Sequence, residues 1–145
     1  MIALLQRVRR AHIDIDGKTV AGIGPGLLVF ACVQPGDTAA RIERLADRLL
    51  AYRIFPDAAG RMNLGLKEVG GGLLLVSQFT LGADTRSGLR PGFSTSAPPD
   101  EARAGFERLL AACRARLPEV ASGRFGADMQ VALVNDGPAT FWLQT

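Results

Sequence analysis

The residues of this sequence best suited to chemistry are three hydroxyls and a Gly-Pro step. Ser77 and Thr80 enclose Gln78-Phe79 near the end of LLLVSQFTL, Leu73–Leu81. A short apolar run that breaks into small polar residues is the pattern of a buried strand whose end opens into a site. Thr140 closes the segment Asn135-Asp136-Gly137-Pro138-Ala139-Thr140. Each hydroxyl is a candidate nucleophile, but a hydroxyl near its free pKa attacks poorly unless a base takes its proton. That base is missing. The single histidine, His12, sits beside Ile13 in an alternating segment and reads as a strand or surface residue rather than a triad member. Most carboxylates fall on helix faces or in turns. Asp128 and Asp136 stand beside segments that could form a site, so both stay open as acids or bases.

Gly137-Pro138 interrupts what otherwise reads as a C-terminal strand pair, Met129–Val134 and Thr140–Gln144. Proline fixes its own φ and donates no backbone hydrogen bond, while glycine lets the chain approach another surface and turn its carbonyls outward. The same residues are ordinary turn chemistry, so a plain hairpin turn and a functional tip both fit.

Composition narrows the classes. With one His and two Cys, and no His-x-x-x-His or Cys-x-x-Cys spacing, a zinc or iron site has almost no ligands, so neither metal-dependent hydrolysis nor a resident cofactor is expected. Cys32 lies in the apolar run Leu27–Val33 and Cys113 on the apolar side of a helix; both read as small core residues, not as a disulfide. The net charge of +3 is carried mainly by arginine, the only lysines being Lys18 and Lys67. Guanidinium groups pair bidentately with phosphate, which permits an RNA partner; a general preference for arginine on a solvated surface gives the same count. No signal core follows the N-terminus and no apolar run approaches the ~20 residues of a membrane span, so a cytoplasmic protein away from membranes is expected.

At 145 residues, without linker or repeat, the chain reads as one domain over 1–145 that buries about two-thirds of its unfolded surface. Ile2–Ile15 alternates loosely, Asp16-Gly17-Lys18 signals a hairpin into Val20–Ile23, and Leu27–Val33 is a buried strand. Asp37 or Thr38 can cap a helix to about Tyr52 with Ile42, Leu45, Ala46, Leu49 and Leu50 on one face. Asp57–Gly60 is a turn. The run at 73–81 is a strand, and the polar stretch Gly82–Ala97 after it is too long for a tight connection and borders a site. Pro98-Pro99 opens a second helix to about Leu117, stopped by Pro118, with Phe106, Leu109, Leu110, Cys113 and Leu117 facing inward. Two or three strands finish the chain. The class is α/β: a layered sandwich of two β-sheets with two main helices covering one side.

Together, SQFT at 77–80 and GPAT at 137–140 resemble the D-aminoacyl-tRNA deacylases. The likeness continues in order through Met1-Ile2-Ala3-Leu4-Leu5-Gln6-Arg7-Val8, Tyr52-Arg53-Ile54-Phe55, Met62-Asn63-Leu64, Arg90-Pro91 with Phe93-Ser94, Gly123-Arg124-Phe125, Ala127-Asp128-Met129-Gln130-Val131 and Phe141-Trp142-Leu143-Gln144. The resemblance implies an obligate homodimer of the same layered fold. It also implies a hydrolase of ester bonds that frees tRNA from D-amino acids and glycine and spares L-aminoacyl-tRNA. By position, Ser77, Gln78, Phe79 and Thr80 would form the catalytic strand motif, with the Phe79 N–H and the Thr80 hydroxyl meeting the substrate carbonyl or the adenosine ribose. Phe125 and Met129 would hold the adenine between an aromatic face and a polarizable thioether. Gly137 and Pro138 match a Gly-cisPro element that projects from one subunit into the other's pocket, its carbonyl oxygens facing the aminoacyl group. Arg7, Ala139 and Thr140 would support it, Arg7 from across the interface. Family members commonly carry Val where this chain has Ala139, which bears on the support beneath the tip. An animal sister group carries Lys where this chain has Phe79, so Phe79 points to the D-specific branch. In such deacylases the 2′-hydroxyl of the terminal adenosine assists hydrolysis, which suits a chain without an evident base.

The residues alone leave two other readings. One is an esterase of small D-amino-acid derivatives using Thr80 or Ser77 with a local carboxylate. The other is a non-catalytic RNA-binding module, suggested by the arginine surplus.

Overall fold

The alternating N-terminal segment becomes one strand long enough to serve two layers. In the computed structural model, which describes residues 1–145, β1 (Ile2–Ile15) is followed by β2 (Lys18–Ile23) and β3 (Gly26–Cys32). β1 pairs antiparallel with β3 from Ile2 to Val8 and with β2 from Ala11 to Ile15. Along its other edge runs β8 (Gln130–Gln144), from Ile2 opposite Gln144 to Asp14 opposite Gln130. β6 (Gly72–Ser77) joins β3 in parallel and β7 (Val120–Ser122) joins β6 in parallel. The order in this six-stranded sheet is β2-β1-β3-β6-β7, with β8 on β1. A second sheet is the small hairpin of β4 (Phe55–Pro56) and β5 (Met62–Leu64).

Parallel neighbours need crossovers, and the two main helices supply them. α1 (Ala39–Ala51) lies between β3 and β6 in sequence, and α3 (Pro99–Arg114) between β6 and β7. Thr38 caps α1, its side chain accepting from the Arg41 N–H, and Ile42, Leu45, Ala46, Leu49 and Leu50 are buried as their spacing requires. Both helices cover one face of the sheet, where Leu27 and Val29 of β3 and Leu73 and Leu75 of β6 meet Leu45, Leu49, Phe106 and Leu109. The opposite face of the same strands carries Leu28, Leu74 and Val76, and these pack against Val8, Ala11, Ile13 and Ile15 of β1 and Ile23 of β2.

A bulge lets β1 serve both cores. Between Val8 and Arg10 the strand advances two residues while β8 advances one, from Asn135 to Val134. The extra residue flips the alternation, so Ala3 and Leu5 face the helices whereas Ala11, Ile13 and Ile15 face the second core. The far half of β1 thereby folds over, and β2 touches β6 and β7 without pairing to them. The face-to-face sheet packing expected of a sandwich arises within this one curled sheet.

Four local expectations need correction. The strand expected over 73–81 ends at Ser77, and Phe79–Gly82 is a 3₁₀ turn. Its partner β3 stops at Cys32, with Ala31 opposite Ser77 as the last pair, so no strand remains for the chain to follow. The C-terminal strand pair is a single strand, since both halves of β8 run antiparallel to β1 and neither pairs with the other. α3 ends at Arg114 rather than near Leu117, because Pro118 disfavours helical geometry at the residue before it. Leu110 in α3 is only partly buried. The short helix α2 (Leu66–Val69) was not anticipated. No helix is long and apolar enough to cross a membrane.

Candidate functional site

β3 and β6 end side by side, and the chain leaving β6 builds the site. The Gln78 N–H still donates to the Ala31 carbonyl at 2.8 Å, which ties the departing chain to β3. Gln78 then turns away from the sheet, and Phe79 opens the 3₁₀ turn. The first N–H groups of a helical turn have no carbonyl within it to meet, so the Phe79 and Thr80 amides are donors that point out of the turn. The Gln78 Nε2 donates to the Thr80 Oγ1 at 2.6 Å, leaving the hydroxyl proton free for another acceptor. Behind the turn, the buried Cys32 thiol donates to the Phe79 carbonyl at 3.5 Å. Burial pushes the Cys32 thiol up from its ordinary range, so it serves as a neutral support rather than a nucleophile.

A cavity of about 310 Å³ opens in front of the strand end, with Ser77, Gln78 and Phe79 on one wall and Phe125, Asp128 and Met129 on the other. Phe125 is fixed from two sides, by the Phe106 ring at 6.4 Å between centroids and by the Arg103 guanidinium 4.7 Å over its face. Met129 fits because position 123 is glycine; a Cβ there would run into the Met129 sulfur. The structure thus brings together Ser77, Gln78, Phe79, Phe125 and Met129. Thr80 is exposed and joins them through Gln78. Thr95, Ser96 and Ala97, from the polar stretch after β6, line a smaller void on the other side of Phe125, so that stretch does border the site.

The Gly-Pro element is a bulge in β8. Between the pairs Gln6 with Thr140 and Val8 with Asn135, β1 contributes only Arg7 while β8 inserts Asp136–Ala139. The Gly137-Pro138 bond is cis and Gly137 has φ +130°, a region that side chains disfavour. A Cβ at Gly137 would also approach the Arg7 Nη2 to 2.8 Å. Asn135 closes the base of the bulge: its Nδ2 donates to the Arg7 and Ala139 carbonyls at 3.0 Å, and its Oδ1 accepts from the Ala139 N–H at 3.1 Å.

Arg7 is 8% exposed. Its Nε donates to the Asp136 carbonyl at 3.1 Å and lies 3.2 Å from the Asp136 carboxylate, while Nη1 donates to the Ile54 carbonyl. Within this chain, then, Arg7 braces its own tip. Ala139 is buried beneath the tip, and Thr140 accepts from Gln6 Nε2 at 3.2 Å on the exposed face.

Gly137 and Pro138 line neither cavity at the strand end. The structure therefore does not unite the tip and the pocket of one chain. Asp128, exposed on the cavity wall, is the only carboxylate the pocket gains. Asp136 is committed to Arg7 and to Arg9, 3.1 Å away, and His12 faces Asp14 at 3.6 Å on β1. No three His, Cys, Asp or Glu side chains gather into a metal-binding group. Asn135 escaped the sequence reading although an Asn opening such a loop is a readable sign of side-chain closure. Arg103 escaped it, and Phe93 was quoted without a role, because only tertiary packing sets them beside Phe125 and Phe79.

A family model described as D-Tyr-tRNA(Tyr) deacylase matches residues 4–144. The chain belongs to that family. It is thereby a hydrolase acting on the ester bond of aminoacyl-tRNA. Among similar proteins, one named D-aminoacyl-tRNA deacylase from Stenotrophomonas maltophilia is 57% identical over 99% of both chains. Another of the same name from Azotobacter vinelandii is 60% identical, again over 99% of both. A solved structure titled c-Myc DNA Unwinding Element Binding Protein is 32% identical, with a TM-score of 0.95 over 100% of this chain and 99% of that one. A probable eukaryotic D-amino acid tRNA deacylase, 19% identical with a TM-score of 0.84 over 98% of this chain and 97% of that one, shares the fold of this deacylase.

Proposed function

We propose that the chain frees tRNA from D-amino acids and from glycine, that Gly137-Pro138 of a second copy judges the α-carbon, and that the 2′-hydroxyl of the terminal adenosine assists the reaction. The observation that carries this reading is a division of parts. The pocket has donors, a ring and a thioether, with the exposed Asp128 as its only carboxylate and no histidine, while the exposed tip stands apart from its own chain's pocket.

In this scheme adenine sits between Phe125 and Met129, and the ester carbonyl turns toward the Phe79 amide and the Thr80 hydroxyl. Water attacks the carbonyl carbon, the amide holds the oxyanion, the bond from carbon to the 3′ oxygen breaks, and that oxygen leaves with a proton relayed by the adjacent 2′-hydroxyl. The Gly137 and Pro138 carbonyls of the second copy accept from the α-ammonium group. An L side chain would occupy the space those carbonyls need, so selection acts by exclusion, and glycine passes because it has no side chain to exclude.

The test is hydrolysis of D-, L- and glycyl-tRNA side by side, repeated with D-aminoacyl-tRNA ending in 2′-deoxyadenosine. Cleavage of the D and glycyl esters, sparing of the L ester and loss of most activity on the deoxy substrate are expected. Full activity on the deoxy substrate would require a protein base. Equal cleavage of D and L esters would leave the tip without a function in selection.

A further inference from the structure

Phe79, which lines the larger cavity, packs against Phe93, their ring centroids 5.1 Å apart and tilted by 54°. They remain 60% and 36% exposed. Single exposed apolar residues are ordinary, but two aromatic rings in contact beside a pocket form a patch that a partner would cover. The position of Phe93 is built rather than accidental. Its loop is closed by paired backbone bonds between Asp84 and Gly92, at 2.8 and 2.9 Å. Arg86 reinforces the closure by donating to both Asp84 carboxylate oxygens, at 2.9 and 2.7 Å.

That ion pair also sorts the charges of the loop. Asp84 neutralises Arg86, whereas Arg90 is exposed and takes part in no ion pair. An exposed ring face, in a loop that also carries an uncompensated guanidinium, is what a single-stranded nucleic acid needs, one surface for a base and one charge for a phosphate. Phe79 itself lines the cavity, so the platform continues its wall outward.

We propose that the Phe79–Phe93 pair stacks the base of the penultimate nucleotide of the tRNA 3′ end, with Arg90 meeting the phosphate that links it to the terminal adenosine. This rests on the reading of the cavity as the adenosine pocket. Because every base has a π-face, such a platform accepts any tRNA without reading its sequence.

The test compares kcat/KM for D-aminoacyl esters of adenosine and of the dinucleotide CpA. The wild-type chain should favour the dinucleotide ester by roughly tenfold, the range of one base stacked on an aromatic side chain. Phe93→Ala should bring that ratio close to one, Phe93→Tyr should preserve it, and Arg90→Ala should lower it in a salt-dependent way. A wild-type chain that cleaves the adenosine ester yet gains nothing from the second nucleotide contradicts this inference alone. One that cleaves D-aminoacyl-tRNA without using the Phe125–Met129 wall, shown by an unaltered KM in Phe125→Ala, overturns the pocket reading and this inference with it. A ratio retained in Phe93→Ala, or a change of oligomeric state in sedimentation, would assign the aromatic pair to packing or to a second copy.

Discussion

Thr80 carries a hydroxyl whose oxygen is already engaged by Gln78, and no hydrogen bond joins it to a carboxylate or histidine. Thr80→Ala should therefore lower kcat/KM by about tenfold, the worth of one oriented hydrogen bond, without abolishing turnover; an acyl-enzyme trapped on Thr80 would contradict this. Gly137→Ala should be harsher, since its methyl would meet both a φ of +130° and the Arg7 guanidinium. Cys113 gives a check in stability. Burial pushes its thiol up to about 12 from the ordinary 9.0, so the unfolded thiol ionises first and the folded state loses stability as pH rises from 9 toward 12. The slope it adds approaches about 1.4 kcal/mol per pH unit and should vanish in Cys113→Ala in urea titrations. At this scale the sequence was readable where a residue's role is local. SQFT and Gly-Pro could be picked out by type, and so could the lack of a histidine to act as base. The packing of Arg103 on Phe125 and of Phe93 on Phe79 joins residues distant in sequence, and no local pattern marks it.

Among the elements, the bulge in β8 decides how the tip is held. Asn135 makes three hydrogen bonds across its base, so Asn135→Ala would leave buried backbone groups unpaired at about 1–3 kcal/mol. The expected outcome is a lower melting temperature together with impaired rejection of L-aminoacyl-tRNA; normal rejection would show that the tip holds itself. Helix positions were legible because their 3.6-residue periodicity and caps are local signals, as Thr38 and the buried face of α1 illustrate. Strand ends were not. Ser77 ends β6 because β3 stops opposite it, and β8 runs on through Gly137-Pro138 because β1 continues beside both halves. A strand's length belongs to its neighbour as much as to itself.

For the whole molecule, the central claim is that a complete site takes its pocket from one copy and its tip from another. β8 has β1 as its only strand partner, and Trp142 on it is 52% exposed, so this edge is free to meet a second copy; sedimentation should show a homodimer, and an active monomer would refute it. The most direct measurement mixes two crippled variants, Gly137→Ala with a damaged tip and Phe125→Ala with a damaged pocket, and follows D-aminoacyl-tRNA hydrolysis after subunit exchange. In a two-fold pair, half of the exchanged dimers are mixed and each mixed dimer holds one intact site, so activity should recover to about one quarter of the wild-type value. Activity that stays at the level of the separate variants, once exchange has been verified, would mean that each chain uses its own tip and would contradict the account.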